Sequence, residues 1–317
     1  MLVQRIKLKK NLLDRLSLIL PSNRLEAVLH VFSNRRPTTI RANTLKITGW
    51  ELRRKLLEIG IKADTVFWCK EAFIIQNRKL REIEGLDLYK KGYFYVQSLS
   101  SMIPPLVLAP AKNEIVLDIA AAPGSKTTQI AAMMGNTGEL FANEPNEIRL
   151  QKLEANLNRQ GVTNTKLLSM DGGAVQSLFT DYFDKVLVDA PCSGEGRISI
   201  YFEDSYRNWS YRSVCNYSSL QKRLLISALL AVKPGGKVVY STCTLAPEEN
   251  EGNVSFILEK TEGQVIAEPV ILNSFHFSPP IMHWEGKDFH KGVKNCVRVN
   301  PSETMEGFFV TVFKRLK

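Results

Sequence analysis

Two cysteines stand where they could do chemistry, Cys192 in "DAPCSGEG" (residues 189–196) and Cys243 in "YSTCTL" (residues 240–245). Each follows a short apolar run, "DKVLVDA" and "GKVVYST", of the kind that forms a buried strand of a parallel sheet. The sheet should bring both thiols to one carboxyl edge. A free thiol, with a reference pKa of about 8.5, is mostly protonated at neutral pH, so a nucleophile needs a nearby cation or helix N-terminus. Pro247 in "LAPEENEGNV" marks a first helical turn after Cys243, where Glu248 and Glu249 would oppose a thiolate; Lys126 is the candidate cation. One such cysteine alone reads as a small buried hydrophobe. Two suit a reaction in two thiol-dependent steps. Carbon 5 of cytosine is too poor a nucleophile to accept a methyl group, but a thiolate adding at carbon 6 turns the ring into an enamine. Asp189 could hydrogen-bond the ring nitrogen and amino edge and stabilise the charge that arises. The carbon 5 proton must then leave before the enzyme is released, which gives the second cysteine a task.

In an open α/β sheet, ligands bind beyond the carboxyl ends of the strands, so the loop after the first strand is the place for a cofactor. That loop reads "DIAAAPGSKT". Ala120, Ala121, Ala122, Pro123, Gly124 and Ser125 form it; the small residues admit close backbone approach, and Lys126 adds a positive charge at the next helix start. A phosphate-binding P-loop fails on glycine spacing, and G-x-G-x-x-G is absent. Glu144, in "FANEP" after the second strand, can accept both hydrogens of a ribose diol, and Asp171 after the third is placed to meet a base edge. The series Asp118, Glu144, Asp171, Asp189 at successive strand ends points to a nucleoside-type cofactor.

The elements that must carry these residues divide at about residue 95. Residues 1–95 read as two short helices, "NLLDRLSLIL" and "NRLEAVLHVF", then a small α+β module. Its strands are expected in "TTIRANTLKI", "DTVFWCKEAFII" and "LYKKGYFYVQS", with a helix between Thr48 and Gly60. Arg35, Arg36, Arg41, Lys46, Arg53, Arg54 and Lys55 make it basic, either as a solvated face or as a nucleic-acid contact. Residues 96–317 alternate strands ("EIVLDIA", "GELFANE", "NTKLLSM", "DKVLVDA", "GKVVYST") with helices ("KTTQIAAMM", "NEIRLQKLEANLNRQ", "SSLQKRLLISALLAV"). That order predicts an α/β fold with a mainly parallel doubly wound sheet, and "GFFVTVFKRL" an antiparallel edge strand.

The 317 residues carry a net charge of +10, which favours a polyanionic partner. Five scattered cysteines without a C-x-x-C pair imply neither a disulfide framework nor a zinc cage, so a reducing cytoplasm and no metal are expected. His276, His283 and His290 are spaced unlike a metal site, and Trp209 and Trp284 read as packing residues sooner than as base platforms. The basic, partly apolar beginning is amphipathic, a helix and not a signal peptide, and no run is long enough to span a membrane. A soluble protein is expected.

Taken together, "RRPTTIRANTLK", "YVQSLSSM", "DIAAAPGSKTTQ", "DAPCSGEG", "YSTCTLAPEEN" and "EGFFVTVFKR" resemble the Nop/Sun family of S-adenosylmethionine-dependent RNA cytosine-5 methyltransferases. The resemblance runs through nearly the whole chain and implies a Rossmann-like class I methyltransferase acting as a monomer on RNA. It implies that residues 120–126, Glu144, Asp171 and Asp189 bind S-adenosyl-L-methionine, that Cys243 is the nucleophile, and that Cys192 assists product release. "AAAPGSKTTQI", "NWS" and "EGFF" look most like the bacterial RsmF branch, which modifies small-subunit ribosomal RNA. Three features depart from it: Ser98 and Leu99 replace the usual acidic and small residues, "RISIYFEDSYRNWS" replaces a basic segment, and the branch's C-terminal PUA-like domains are not in this sequence. A tRNA substrate, DNA methylation, and a non-catalytic ribosome-assembly factor are the competing expectations.

Overall fold

The structure, a computed structural model, describes residues 8–317. The N-terminal segment 1–7 lies outside the described residues. Helix α1 (Lys10–Ile19) turns Leu12, Arg15, Leu16 and Ile19 inward at helical spacing, and α2 (Ser22–Phe32) follows immediately. Together they pack onto Ile198, Trp209, Leu245 and Ala246 of the C-terminal part of the chain.

Next comes a four-stranded antiparallel sheet in the order β2 (Ala63–Val66), β3 (Cys69–Ile75), β1 (Thr38–Ala42), β4 (Phe94–Val96). Helix α3 (Gly49–Glu58) covers one face through Leu52 and Leu56, against Ile40, Phe73 and Ile75. A capping box fixes its start, since the Thr48 hydroxyl accepts from the Glu51 N–H at 3.2 Å and the Glu51 carboxylate from the Thr48 N–H at 2.9 Å. The other face places Val66, Cys69 and Ala72 in a core shared with Leu99, Met102 and Ile103 of α6 (Leu99–Leu108).

Several local readings change here. "TTIRANTLKI" stops being a strand at Ala42, because Asn43 folds the chain over: its side-chain oxygen accepts from the Leu45 N–H at 3.2 Å while its amide donates to Gly92 and Gln160 carbonyls. "DTVFWCKEAFII" is a hairpin, with Phe67 at its tip 82% exposed. "LYKKGYFYVQS" opens inside the short helix α5 (Asp87–Lys90), which follows another, α4 (Leu80–Glu84), and only then pairs as β4. Because β4 runs to Val96 and pairs with Ile40 there, the module's sheet extends through the division expected at residue 95.

The large sheet has the order β10 (Val265–Glu268), β14 (Phe308–Arg315), β9 (Val232–Thr242), β8 (Phe183–Asp189), β5 (Ile115–Asp118), β6 (Glu139–Asn143), β7 (Thr165–Leu168). The five strands from β9 to β7 are parallel, and β14 runs antiparallel between β9 and β10. "GFFVTVFKRL" is therefore an interior strand, edged by β10 and, near its start, by β13 (Val297–Val299). A small hairpin, β11 (His283–Trp284) and β12 (Lys287–Asp288), precedes it. Helices α7 (Ser125–Met134) and α8 (Glu147–Gln160) make the first two crossovers; α9 (Tyr211–Ala231) precedes β9, and α10 (Glu251–Lys260) follows it. This is a mixed α/β fold with a mainly parallel doubly wound sheet, and β5 and β8 stand at the switch point where the strand order reverses.

Candidate active site

Strands β8 and β9 pair in parallel with Asp189 opposite Ser241, so the loops leaving them start level with each other. That register brings the Cys192 and Cys243 sulfurs to 3.2 Å. The loops are further tied by Gly196 N–H donating to the Cys243 carbonyl at 3.0 Å and by the hydroxyls of Ser193 and Thr244 at 2.7 Å. Only glycine fits at 196, where a Cβ would lie 2.1 Å from the Gly307 carbonyl oxygen.

The two thiols are unequal. The Cys192 S–H directed at Cys243 favours charge on Cys243, and the Arg197 guanidinium adds to this against burial, Glu306 and Asp189; the Cys243 pKa falls below the ordinary thiol value. The same hydrogen bond, burial, the charge on Cys243 and the nearby Glu249 push Cys192 well up. Glu249 is fully buried and itself raised to about 7 by that burial, although Ser193 N–H and the Gln221 amide both donate to it.

The cation expected to activate Cys243, Lys126, is occupied elsewhere. Its ammonium pairs with Asp189 at 2.6 Å and donates to the Ser101 hydroxyl at 2.7 Å, and Ser241 donates to the other Asp189 oxygen at 2.8 Å. The cation whose field lowers Cys243 is Arg197, three residues beyond Gly194 and joined to Glu306 at 3.6 Å. The helix expected from Pro247 begins at Glu251; residues 247–250 form a turn, so no helix N-terminus points at Cys243. Sequence reasoning passed over Arg197 because a surface arginine after glycines carries no signal of its own. Glu249 was legible as an opposing charge, but not as a buried one.

Residues 105–314 match the family model described as "16S rRNA methyltransferase RsmB/F", and residues 8–99 that of the N-terminal domain of 16S rRNA methyltransferase RsmF. The chain belongs to the RsmB/F methyltransferase family. It is similar to the tRNA (cytosine(49)-C(5))-methyltransferase of Pyrococcus abyssi, at 39% identity over 98% of this chain and 97% of that one. It is also similar to ribosomal RNA small subunit methyltransferase F of Shewanella oneidensis, at 37% identity over 96% of this chain. The chain spans 63% of that relative's length. A crystal structure of a methyltransferase homologue from Pyrococcus horikoshii aligns with a TM-score of 0.83 at 33% identity, covering 98% of this chain and all of that one.

Both cysteines and the loop of residues 120–126 lie inside the segment matched to RsmB/F. Gly124, at φ +106°, turns the chain into α7. The loop's outer side is held by α8, where Arg149 donates to the Ala122 carbonyl at 2.9 Å and Asn156 to that of Pro123 at 2.7 Å. Ala121 and Ala122 are buried, Ala120 and Ser125 partly so, and Pro123 is exposed. Behind the loop Asp118, buried and raised to about 7 by burial, accepts from the Thr127 hydroxyl at 2.7 Å while its second oxygen has no partner. Glu144 is 1% exposed and accepts from Asn146 N–H, with Arg149 at 3.1 Å. Asp171 accepts from Gly173 N–H at 2.9 Å and pairs with Arg223. A row of carboxylates at consecutive strand ends, one with an unmet buried oxygen, fits a ligand rich in hydroxyl and amino donors.

Two basic residues of the module, the buried Arg41 and the exposed Lys46, are spent on contacts within the protein. Arg41 is 3% exposed and donates to the Ser125 carbonyl at 2.8 Å and the Thr128 hydroxyl at 3.0 Å; burial lowers it to about 10. Lys46 donates to the Lys91 and Arg159 carbonyls. They brace the module against α7 and α8, while Arg35, Arg53, Arg54 and Lys55 remain outward or partly so. Trp209 is buried with its N–H on Glu195 at 3.0 Å, and the Trp284 N–H donates to Glu248 at 3.1 Å. His283 pairs with Asp288, and His290 accepts from Gly292 N–H at 3.1 Å. Among the described residues no group of histidine, cysteine and acidic side chains could hold a metal, and no helix is long and apolar enough to cross a membrane.

Proposed function

We propose that this chain methylates carbon 5 of a cytosine in RNA, with Cys243 as nucleophile, and that the RNA is that of the small ribosomal subunit. What supports the chemistry most is the 3.2 Å approach of two thiols whose acidities are pushed apart. S-adenosyl-L-methionine, held by residues 120–126 with Glu144, Asp171 and Asp189, would supply an electrophilic methyl group.

The chain's own residues account for the remaining steps. Cys243, as thiolate, adds to carbon 6 of the cytosine. Asp189, fixed by Lys126 and Ser241, is the carboxylate placed to accept from the cytosine amino group, and it donates to the ring nitrogen only when it carries a proton. Before addition, Cys192 keeps its proton because it donates to Cys243. Once the Cys243 sulfur is bonded to carbon, that charge is gone and the largest cause raising Cys192 goes with it. Cys192 then becomes more acidic at the stage when the carbon 5 proton must be removed and the carbon–sulfur bond must break. Glu249 behind it limits how far its acidity recovers.

The match of residues 8–99 to the RsmF N-terminal domain favours ribosomal RNA, with the module of residues 1–95 as an RNA-gripping element. A second reading, tRNA, is favoured by the 39% relative that this chain matches along its whole length. Cys243→Ala should abolish labelled methyl transfer to hypomethylated RNA, whereas Cys192→Ala should accumulate a protein–RNA adduct that survives denaturing electrophoresis. An adduct that requires Cys192 and persists without Cys243 reverses the assignment. Parallel assays on small-subunit RNA, tRNA and DNA decide the substrate.

A further inference from the structure

Arg15 of α1 is 7% exposed and sits between the two cysteine loops. Its Nε donates to Glu195 at 3.3 Å, three residues after Cys192, and its Nη1 donates to Glu248 at 3.0 Å, five residues after Cys243. A second nitrogen also pairs with Glu248. The guanidinium lies 5.3 Å from the Tyr211 ring centroid and 5.6 Å from that of Trp284, so aromatic faces close the cage. Glu195 has no exposure and one oxygen without a partner, and burial raises it despite Arg15. A fully buried acid held by Arg15 and the Trp209 N–H, with its second oxygen unmet, is a costly way to fill a core.

We infer that Arg15 is a positioning residue which holds the Cys192 and Cys243 loops in register by pairing with one carboxylate from each. Glu195 opens the 3₁₀ turn Glu195–Arg197, which delivers Gly196 N–H to the Cys243 carbonyl at 3.0 Å and Arg197 toward the Cys243 thiol. Fixing Glu195 therefore fixes the cation that favours the thiolate. The other groups facing Cys243 are Cys192, Asp189 and Glu306, none of which touches Arg15. The role as stated rests on the cytosine methylation proposed above, but its effect on the thiols does not.

The test is the pH profile of Cys243 alkylation by iodoacetamide, read by mass spectrometry beside methyl-transfer kinetics. In Arg15→Met the two acids repel, the turn loosens, and the profile should move up by about one pH unit, a roughly tenfold loss of thiolate below the midpoint. The kcat should fall about tenfold or more with the KM for RNA little changed. Arg15→Lys, which keeps a charge in the cage but loses the fork, should move both readouts part of the way and serves if Arg15→Met does not fold. A variant that only unfolds at lower temperature, with alkylation and kcat unchanged, makes Arg15 scaffold and overturns the inference. Wild-type protein inactive on every RNA would sink the proposed function while leaving the alkylation profile to decide Arg15.

Discussion

Lys126→Met separates the stability role of the Lys126–Asp189 pair from its chemistry. The Lys126 side chain is 9% exposed and that of Asp189 27%, at 2.6 Å. Removing one partner of a fully buried pair costs about 3–5 kcal/mol, because the survivor is left charged and dry. Asp189 keeps the Ser241 hydroxyl at 2.8 Å and some access to water, so the cost here should be about 2–3 kcal/mol. For a protein of this size that is a fall in Tm of roughly 5 °C, measurable by calorimetry. Adding Asp189→Asn removes the orphaned charge and keeps an oxygen for Ser241, so the double variant should regain most of the loss. Methyl transfer should stay abolished in both, since the carboxylate proposed to meet the cytosine is either misplaced or gone. Additive losses in the double variant would refute the reasoning, as would a double variant that transfers methyl groups.

Two further perturbations follow from the same loops. Glu249 titrates at about 7 in the folded protein against an ordinary 4.5, and Asp118 at about 7 against 3.8. The native state thus binds more protons in between, and stability should decline as pH rises to about 7, from 3.8 upward through Asp118 and from 4.5 upward through Glu249. Glu249→Gln should remove its share, up to about 3 kcal/mol, and flatten the Tm against pH curve; an unchanged slope would place the charge elsewhere. Gly196→Ala would set a Cβ 2.1 Å from the Gly307 oxygen and 2.8 Å from that of Cys243, forcing the loops apart. Methyl transfer should fall more than tenfold, about 1.4 kcal/mol or more in barrier. Gly194→Ala, at φ +74° in open space, should cost only about 1 kcal/mol of stability; equal activity losses in the two would refute the close-approach argument.

The parallel sheet was legible because its strands are continuous apolar runs separated by amphipathic helices, a pattern that local sequence carries. Helix α6 was not, since it holds Pro104 and Pro105, which speak against a helix interior. Ser98 starts it by accepting from Ser101 N–H, and its apolar side chains are buried between the two sheets. The environment of β1 was equally hidden. Arg41 looked like one more surface charge, yet four of the five β1 residues are buried, because one face meets α3 and the other the catalytic half. A strand covered on both sides gives an arginine no route to solvent, so its guanidinium had to find carbonyls and hydroxyls within the protein.

The same reasoning explains why the thiols were legible and their electrostatics were not. Placing Cys192 beside Cys243 required only strand order and the rule that loops at one sheet edge meet. Choosing the cation required knowing which charges were already spent. Lys126 closes the loop proposed to bind the cofactor, but it is committed to Asp189 and Ser101. Arg197 is set by the turn that Glu195 opens, and Glu195 is held by Arg15 from 180 residues away. A thiolate's stability therefore depends here on a contact between the first helix and the loop after β8, which no local pattern encodes. The N-terminal helices and the catalytic sheet should accordingly lose activity together: loosening α1 ought to raise the Cys243 pKa before it exposes any core.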